Sequence, residues 1–267
     1  MSQIGDVDRE TLARVAKWVI EAQRILCITG AGVSAESGLP TYRGVGGIYD
    51  DQDTDDGIPI ELALSGQVFR RDPQLTWRYL LQIENACRGA QPNAAHRVLA
   101  DWESAARPSA EVWILTQNVD GLHAAAGSRQ LIEIHGDLHR LRCTRCPWRD
   151  VVADYSHLST LPSCPSCGAL IRPEVILFNE ALPMTAVATL ERELDAGFDL
   201  VLSVGTSSQF PYIAHPVALA QRQGGRAVEI NPTSTAVSSV VDLQLRGPAA
   251  ELFTALQKEI EVGHSGS

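Results

Sequence analysis

The chain has 267 residues, of which 45% are hydrophobic and 20% charged, a composition typical of a globular protein that buries a sizeable core. The formal net charge of −10 argues against binding to nucleic-acid backbones, because phosphates are neutralised by an excess of Lys and Arg. The N-terminal residues lack a basic start followed by an apolar run, so we expect no secretion signal, and no apolar run approaches the roughly 20 residues that span a bilayer. We therefore expect a cytoplasmic protein that binds neither nucleic acid nor membranes.

Hydrophobic periodicity predicts an amphipathic helix near residues 8–22, followed directly by a buried strand at 24–29 that ends in glycines. Further apolar runs predict strands, and segments of helical period lie between several of them. The predicted strands are 112–115, 200–204 and 227–230, and the helices are 184–196 and 213–223. This alternation predicts an α/β fold with a doubly wound, Rossmann-like parallel sheet covered by helices on both faces.

Two stretches interrupt the alternation. Residues 43–60 are rich in Gly and Asp and predict a long loop of the kind that is often functional. Residues 137–180 carry two cysteine pairs and several prolines, which indicates a small inserted metal-binding module. The predicted organisation is a Rossmann-like domain from 1–42, 93–136 and 181–262, a loop and the helical part of a small domain at 43–92, the metal-binding module at 137–180, and a tail at 263–267.

The two cysteine pairs have the spacing of a zinc site. Cys143 and Cys146 are separated by 17 residues from Cys164 and Cys167, and four thiolates suit one tetrahedral Zn²⁺. Four protein ligands close the coordination sphere, so this zinc would be structural. Disulfides are the alternative, which the expected reducing compartment disfavours. Cys27 lies in a predicted strand and is expected to be inert core.

A glycine-rich turn, Gly30-Ala31-Gly32, directly follows the first strand. Glycines there let the backbone approach a diphosphate, although this pattern alone also fits a plain tight turn. The longer segment GAGVSAESGLPTYRG (30–44) closely resembles the opening cofactor motif of the sirtuins, which are NAD-dependent protein lysine deacylases. TQNVDGLH (116–123) resembles their second motif, IHG (134–136) their catalytic histidine segment, and GTS (205–207) and EIN (229–231) their later cofactor motifs. The resemblance covers about residues 12–260, and the motifs occur in the order that the family has.

The resemblance implies roles for individual residues. Asp120 would contact the nicotinamide amide and Asn118 would order the ribose side of the site, whereas by themselves both fit a polar cap between strand and helix. The full set of implied NAD-binding residues is Gly30, Ala31, Gly32, Ser34, Tyr42, Arg43, Gln117, Asn118, Asp120, Gly205, Thr206, Ser207 and Asn231.

His135 and Asn118 are the implied catalytic residues. An imidazole titrates near neutral pH, so His135 can accept a proton from a ribose hydroxyl as general base. The implied reaction gives free lysine, nicotinamide and O-acyl-ADP-ribose. His96 is instead expected to pack or to cap a helix.

Residues 174–180 resemble the family segment that pairs with an extended, acyl-lysine peptide of a substrate protein. The implied contacts are Val175, Leu177, Phe178 and Asn179. Asn179 replaces the usual glycine, and we expect the turn to survive because Asn tolerates left-handed backbone. Tyr42 replaces the usual Phe, and residues 208–210 depart from the usual apolar residues.

The acyl preference is predicted from one family difference. Members that remove succinyl or malonyl groups carry a Tyr-x-x-Arg pair, and the corresponding positions here are Leu80 and Ile83, or Tyr79 and Gln82 after a one-residue shift. Neither register provides an arginine for a buried carboxylate, although Arg78 and Arg88 lie nearby. Neutral groups, acetyl and longer aliphatic chains, are therefore expected.

Other activities begin with the same bond cleavage. A protein ADP-ribosyltransferase or an NAD hydrolase would use the same cofactor motifs, and the sequence separates them poorly from a deacylase. A non-catalytic NAD-sensing module could dispense with His135 and Asp120. A dehydrogenase is disfavoured by the glycine spacing.

Overall fold

The computed structural model describes residues 9–40, 54–104 and 110–265. The helices are α1 (Arg9–Glu21), α2 (Ala31–Ser34), α3 (Ile60–Ala63), α4 (Gly66–Arg71), α5 (Pro73–Cys87), α6 (Ala94–Glu103), α7 (Leu122–Ala126), α8 (Met184–Ala196), α9 (Pro211–Arg222) and α10 (Ala249–Ser265). The strands are β1 (Arg24–Thr29), β2 (Glu111–Thr116), β3 (Leu131–Glu133), β4 (Gly136–Cys143), β5 (Arg149–Val151), β6 (Ile171–Val175), β7 (Leu200–Val204), β8 (Arg226–Ile230) and β9 (Leu243–Leu245).

The larger sheet has the strand order β3-β2-β1-β7-β8-β9, and every neighbouring pair is parallel. Its central strands β1 and β7 are buried along nearly their whole length, as their apolar runs predict. One apolar core joins the sheet to α1, α6 and α10 on one face, and a second joins it to α8 and α9 on the other. The predicted doubly wound, Rossmann-like fold is confirmed.

The strand order reverses at β1. From β1 the chain proceeds outward through β2 and β3, then returns to β7 on the other side of β1. In open α/β sheets, loops leaving the carboxyl ends of the strands at such a reversal diverge and open a crevice for a ligand. The topology therefore places a candidate site beyond the ends of β1, β2 and β7.

The smaller sheet is antiparallel, in the order β5-β4-β6, and carries the cysteine pairs. It shares one apolar core with the helical segment α3 to α5. Trp77 of α5 joins them, because its indole N–H donates to the carbonyl of Ile171 at 3.0 Å and its ring lies 5.8 Å from Tyr155. The helices α3 to α5 and the smaller sheet thus share one core.

Most predicted elements agree with the structure within two residues, and Cys27 is fully buried as expected. The C-terminus differs, because α10 continues to Ser265 and so includes the first residues of the predicted tail. Ile260 near that end is buried in the core shared with α1, and this packing extends the helix. Much of the predicted 43–60 loop lies outside the described residues. None of the helices in the described ranges is long and apolar enough to cross a membrane.

Candidate functional site

Three loops meet at the carboxyl edge of the large sheet. Gly30 follows β1, Gln117 follows β2 and Gly205 follows β7, and these three strands are neighbours in the sheet. The loops are the ones that the sequence motifs predict. The strand reversal therefore brings the separate motifs into one crevice.

Two glycines hold the first and third loops together. The amide of Gly32 donates to the carbonyl of Gly205 at 2.8 Å. A Cβ on Gly32 would lie 2.7 Å from the Gly205 Cα, and a Cβ on Gly205, whose φ is 55°, would lie 2.4 Å from the Val33 amide nitrogen. Side chains are excluded at both positions, which leaves uncovered backbone of the kind that a diphosphate can approach.

Thr206 connects the glycine loops to two more strands. Its hydroxyl oxygen accepts a hydrogen bond from the side-chain amide of Gln117 at 2.8 Å. Its carbonyl accepts one from the side-chain amide of Asn231, beyond β8, at 3.0 Å. The neighbouring Ser207 is exposed. Four of the predicted cofactor segments are thus linked by direct hydrogen bonds.

A polar cluster lies beside the first glycine loop. The amide of Asn118 donates to the Gly30 carbonyl and to the Ser34 hydroxyl, both at 3.1 Å, and Ser34 donates to the Asp120 carboxylate at 2.8 Å. Burial raises the pKa of Asp120, and hydrogen bonds from the Leu122 amide and Ser34 oppose that rise. Asp120 accepts a hydrogen bond from the amide of Leu122, the first residue of α7, although the N-cap position itself is Gly121.

His135 lies between β3 and β4, with its ring held at both nitrogens. Nδ1 is 3.0 Å from the Gln117 carbonyl and Nε2 is 2.7 Å from the Tyr212 hydroxyl. Burial lowers the pKa of His135, so the neutral imidazole is favoured. The next residue must be Gly136, because its φ is 84° and a Cβ there would lie 1.7 Å from the Glu174 carbonyl oxygen. This explains the glycine of the IHG segment.

The 174–180 segment runs from β6 past His135. The Ile176 amide donates to the His135 carbonyl at 2.9 Å, whereas both backbone groups of Phe178 bond to residues 64–66. The side chains of Val175 and Leu177 are buried in the core. Asn179 has φ of 63° and is exposed, which agrees with the expected left-handed turn.

The four predicted metal ligands converge at the end of the small sheet. The sulfur atoms of Cys143, Cys146, Cys164 and Cys167 lie within 4.8 Å of one another. The Cys143–Cys167 and Cys146–Cys164 sulfur distances are 3.5 and 3.6 Å. A Zn–S bond of about 2.3 Å gives tetrahedron edges of about 3.8 Å, so the cluster fits one structural Zn²⁺.

Comparison with known proteins decides the family. The model of the Sir2 family matches residues 30–211. The NAD-dependent protein deacylase 2 of Pseudomonas aeruginosa is 46% identical over 252 residues, which cover 93% of this chain and 97% of that protein. The chain belongs to the Sir2 family.

Relatives from archaea and solved structures agree with this membership. An NAD-dependent protein deacylase of Pyrococcus furiosus is 37% identical over 93% of this Sir2 chain and 98% of its own length. The crystal structure of a Sir2 homologue in complex with NAD superposes with a TM-score of 0.82, at 34% identity over 94% of each chain. A Sir2 complex with a p53 peptide and NAD⁺ has a TM-score of 0.76, at 27% identity over 93% of this chain and 98% of that one.

Two predicted site residues of this Sir2 chain, Tyr42 and Arg43, lie outside the described residues. His96 behaves as expected, since it is fully buried and forms the capping box of α6 with Asn93. Its Nε2 lies 3.4 Å from the Ser34 hydroxyl, and its ring lies 4.7 Å from that of the buried His123. The buried histidine pair therefore packs against the polar cluster through the contact of His96 with Ser34.

Sequence reasoning missed Tyr212. Its hydroxyl contacts His135, although it lies 77 positions further along the chain. The signal available was an aromatic pair, Phe210 and Tyr212, at the beginning of the helix that follows the GTS segment. No sequence rule pairs these rings with a histidine from another loop.

Proposed function

We propose that this Sir2 protein removes acyl groups from lysine side chains of other proteins in an NAD-dependent reaction, releasing free lysine, nicotinamide and O-acyl-ADP-ribose. One observation carries the proposal: consecutive residues link the histidine to the polar cluster, because the Gln117 carbonyl orients His135 while Asn118 bonds Ser34. The curated deacylases that match nearly the whole chain support it.

NAD is the cosubstrate, and the interlocked glycine loops are the part of the site that suits its diphosphate. NAD would supply the ADP-ribose, which loses nicotinamide and accepts the acyl group on a ribose hydroxyl oxygen, and one water molecule balances the reaction. Asp120, Asn118 and Ser34 would bind the nicotinamide and ribose side, where their hydrogen bonds to one another orient each group before the substrate arrives. Asn231 would hold the loop that follows β8 against Thr206.

His135 would act as the general base. The Gln117 carbonyl can only accept a hydrogen bond, so Nδ1 carries the proton of the neutral ring and Nε2 presents the lone pair. The lowered pKa keeps that lone pair free of a proton at neutral pH. A ribose hydroxyl delivered to Nε2 would lose its proton there.

The acyl group is proposed to be neutral. Leu80 is only 2% exposed and lies in the apolar core, and the Tyr79 hydroxyl donates to Asp56 at 2.6 Å. The two nearby arginines are also engaged: Arg78 bonds both carboxylate oxygens of Asp56 at 2.7 Å, and Arg88 pairs with Glu84. A succinyl carboxylate would find no free guanidinium at these positions, which favours acetyl and longer aliphatic chains.

The protein substrate would bind as an extended peptide near Asn179, where the chain turns outward with a left-handed residue. Backbone pairing gives affinity with little dependence on sequence, which suits an enzyme acting on many acyl-lysine sites. The zinc cluster would stabilise the small sheet on which this segment depends. The cytoplasm keeps cysteine thiols reduced and therefore able to bind zinc, and we propose it as the location of the protein.

Mass spectrometry of an acetyl-lysine peptide, incubated with the protein with and without NAD, tests the proposal. Loss of the acetyl group only with NAD, together with O-acetyl-ADP-ribose, is the expected result. ADP-ribosylated peptide or free ADP-ribose with the acetyl group retained would instead indicate an ADP-ribosyltransferase or an NAD hydrolase. Binding of NAD without any product would indicate a sensing module.

A further inference from the structure

The base nitrogen of His135 already has a partner within the chain. Because the Gln117 carbonyl fixes the proton on Nδ1, the Nε2 lone pair accepts the hydrogen bond that Tyr212 donates at 2.7 Å. The nitrogen that would take a proton from the substrate is therefore capped by a tyrosine hydroxyl.

Aromatic packing fixes the position of that hydroxyl. The Tyr212 ring stacks on Phe210 at 5.4 Å and 14°, and both rings meet the His135 imidazole edge-on, with centroids 6.0 Å away. Pro211 lies between them at the first position of α9, where its fixed φ restricts the backbone. Phe210 is 43% exposed, so the pair forms the outer wall beside the imidazole.

We propose that Tyr212 is a positioning residue for His135. In the free enzyme the Tyr212 hydroxyl holds Nε2 of His135, and a substrate hydroxyl displaces it when His135 acts as base. In that step the substrate proton moves to Nε2, and Tyr212 keeps its own proton. The Gln117 carbonyl continues to hold Nδ1 throughout, so the ring keeps its orientation while its outer partner is exchanged. The role of Tyr212 during catalysis rests on the deacylase function proposed above.

The Tyr212→Phe substitution isolates the hydroxyl, because it retains the ring and its stacking on Phe210. Among the described residues, the imidazole contacts the Gln117 carbonyl after β2 and the Phe210 and Tyr212 rings at the start of α9. A bond donated to Nε2 stabilises the neutral ring, so its loss should raise the pKa of His135 by about half to one unit in an NMR titration of the free enzyme. An unchanged or lower value would overturn the proposal.

Activity provides a second readout. The acid limb of kcat/KM for an acetyl-lysine peptide should move to higher pH by the same amount, while kcat on the alkaline plateau stays within about threefold of wild type. A plateau loss of about a hundredfold would mean that Tyr212 itself carries the proton, which contradicts a positioning role.

Tyr155→Phe is the matched control, because the Tyr155 hydroxyl donates to the Leu138 carbonyl in the small-domain core and does not contact His135. Tyr155→Phe should lower stability and leave the pKa of His135 unchanged. An equal rise in that pKa would mean that a general loss of packing causes the effect, which would overturn the proposal. If wild type and variant both fail to deacylate the peptide, the proposed function fails, whereas the titration still decides the Tyr212 contact.

Discussion

Ser34, the last residue of α2, and Asp120, in the loop after β2, are joined by a hydrogen bond of 2.8 Å between hydroxyl and carboxylate. Ser34 also accepts a bond from Asn118, so it is the point at which the first two sequence motifs meet. Burial raises the pKa of Asp120, and the hydrogen bonds from the Leu122 amide and the Ser34 hydroxyl oppose that rise, so Ser34 favours the ionised carboxylate.

Ser34→Ala should therefore lower kcat/KM for NAD about tenfold to a hundredfold, since it removes a hydrogen bond to a buried charge. The pKa of Asp120 should rise further, so the acid limb of the pH profile should move to higher pH. Ser37→Ala, in the same segment but bonded to Asn93, is the control and should behave as wild type. Identical pH profiles for Ser34→Ala and wild type would contradict the assignment.

His135→Ala should lower kcat by about a hundredfold or more, because general-base catalysis contributes on that scale. The fold should be retained, since the imidazole's hydrogen bonds within the described ranges go to one carbonyl and one hydroxyl at the edge of the crevice. Steady-state kinetics with an acetyl-lysine peptide measure kcat, and thermal unfolding followed by circular dichroism shows whether the fold is retained. The exposed His157 supplies the control variant. Turnover near wild type would remove His135 from the base role.

Cys164→Ser should reduce zinc content and lower Tm by about 10 °C, because metal binding and folding are coupled. Cys87→Ser, outside the four-sulfur cluster, should leave the zinc content unchanged. Metal analysis and calorimetry on the same samples test this. A full zinc equivalent bound to Cys164→Ser would count against the proposed ligands.

The buried histidine pair should destabilise the protein in acid. Burial lowers the pKa of His96 to about 4 and that of His123 to about 3, whereas both titrate near 6.5 when unfolded. The unfolded chain therefore binds more protons below about pH 6.5, and folding stability falls as the pH drops from there toward 3.

His123→Gln should reduce this loss by about 2 kcal/mol between pH 7 and pH 5, measured as the free energy of unfolding in urea at each pH. The comparison between pH values cancels any constant cost of the substitution. His157→Gln, at an exposed position, should leave the loss unchanged. An equal loss in His123→Gln and wild type would show that His123 is not buried in its neutral form.

A succinyl-lysine peptide should be at least about tenfold poorer in kcat/KM than an acetyl-lysine peptide, because an unpaired carboxylate in an apolar pocket is costly. A neutral acyl group of the same length separates charge from size, and it should be a better substrate than succinyl. Preference for succinyl would mean that Arg78 or Arg88 leaves its acidic partner on substrate binding.

Local patterns were sufficient for much of this protein. Apolar runs and helical periods predicted the alternating elements, and the Cys-x-x-Cys pairs predicted the metal ligands, because both depend on residues close together in the chain. Asn179 was predicted to hold a left-handed turn and has φ of 63°. These features reflect local backbone preference and ligand spacing, which neighbouring residues largely determine.

Contacts between distant segments were decided only by the tertiary structure. The parallel pairing of β1 with β2 brings Ser34 to Asp120, and Tyr212 contacts His135 across 77 positions. The sequence placed Val175 and Leu177 in a peptide-binding segment, yet packing turns their side chains into the core and leaves Asn179 exposed. Which partner each side chain meets depends on how the sheets and helices pack, and no local spacing encodes that geometry.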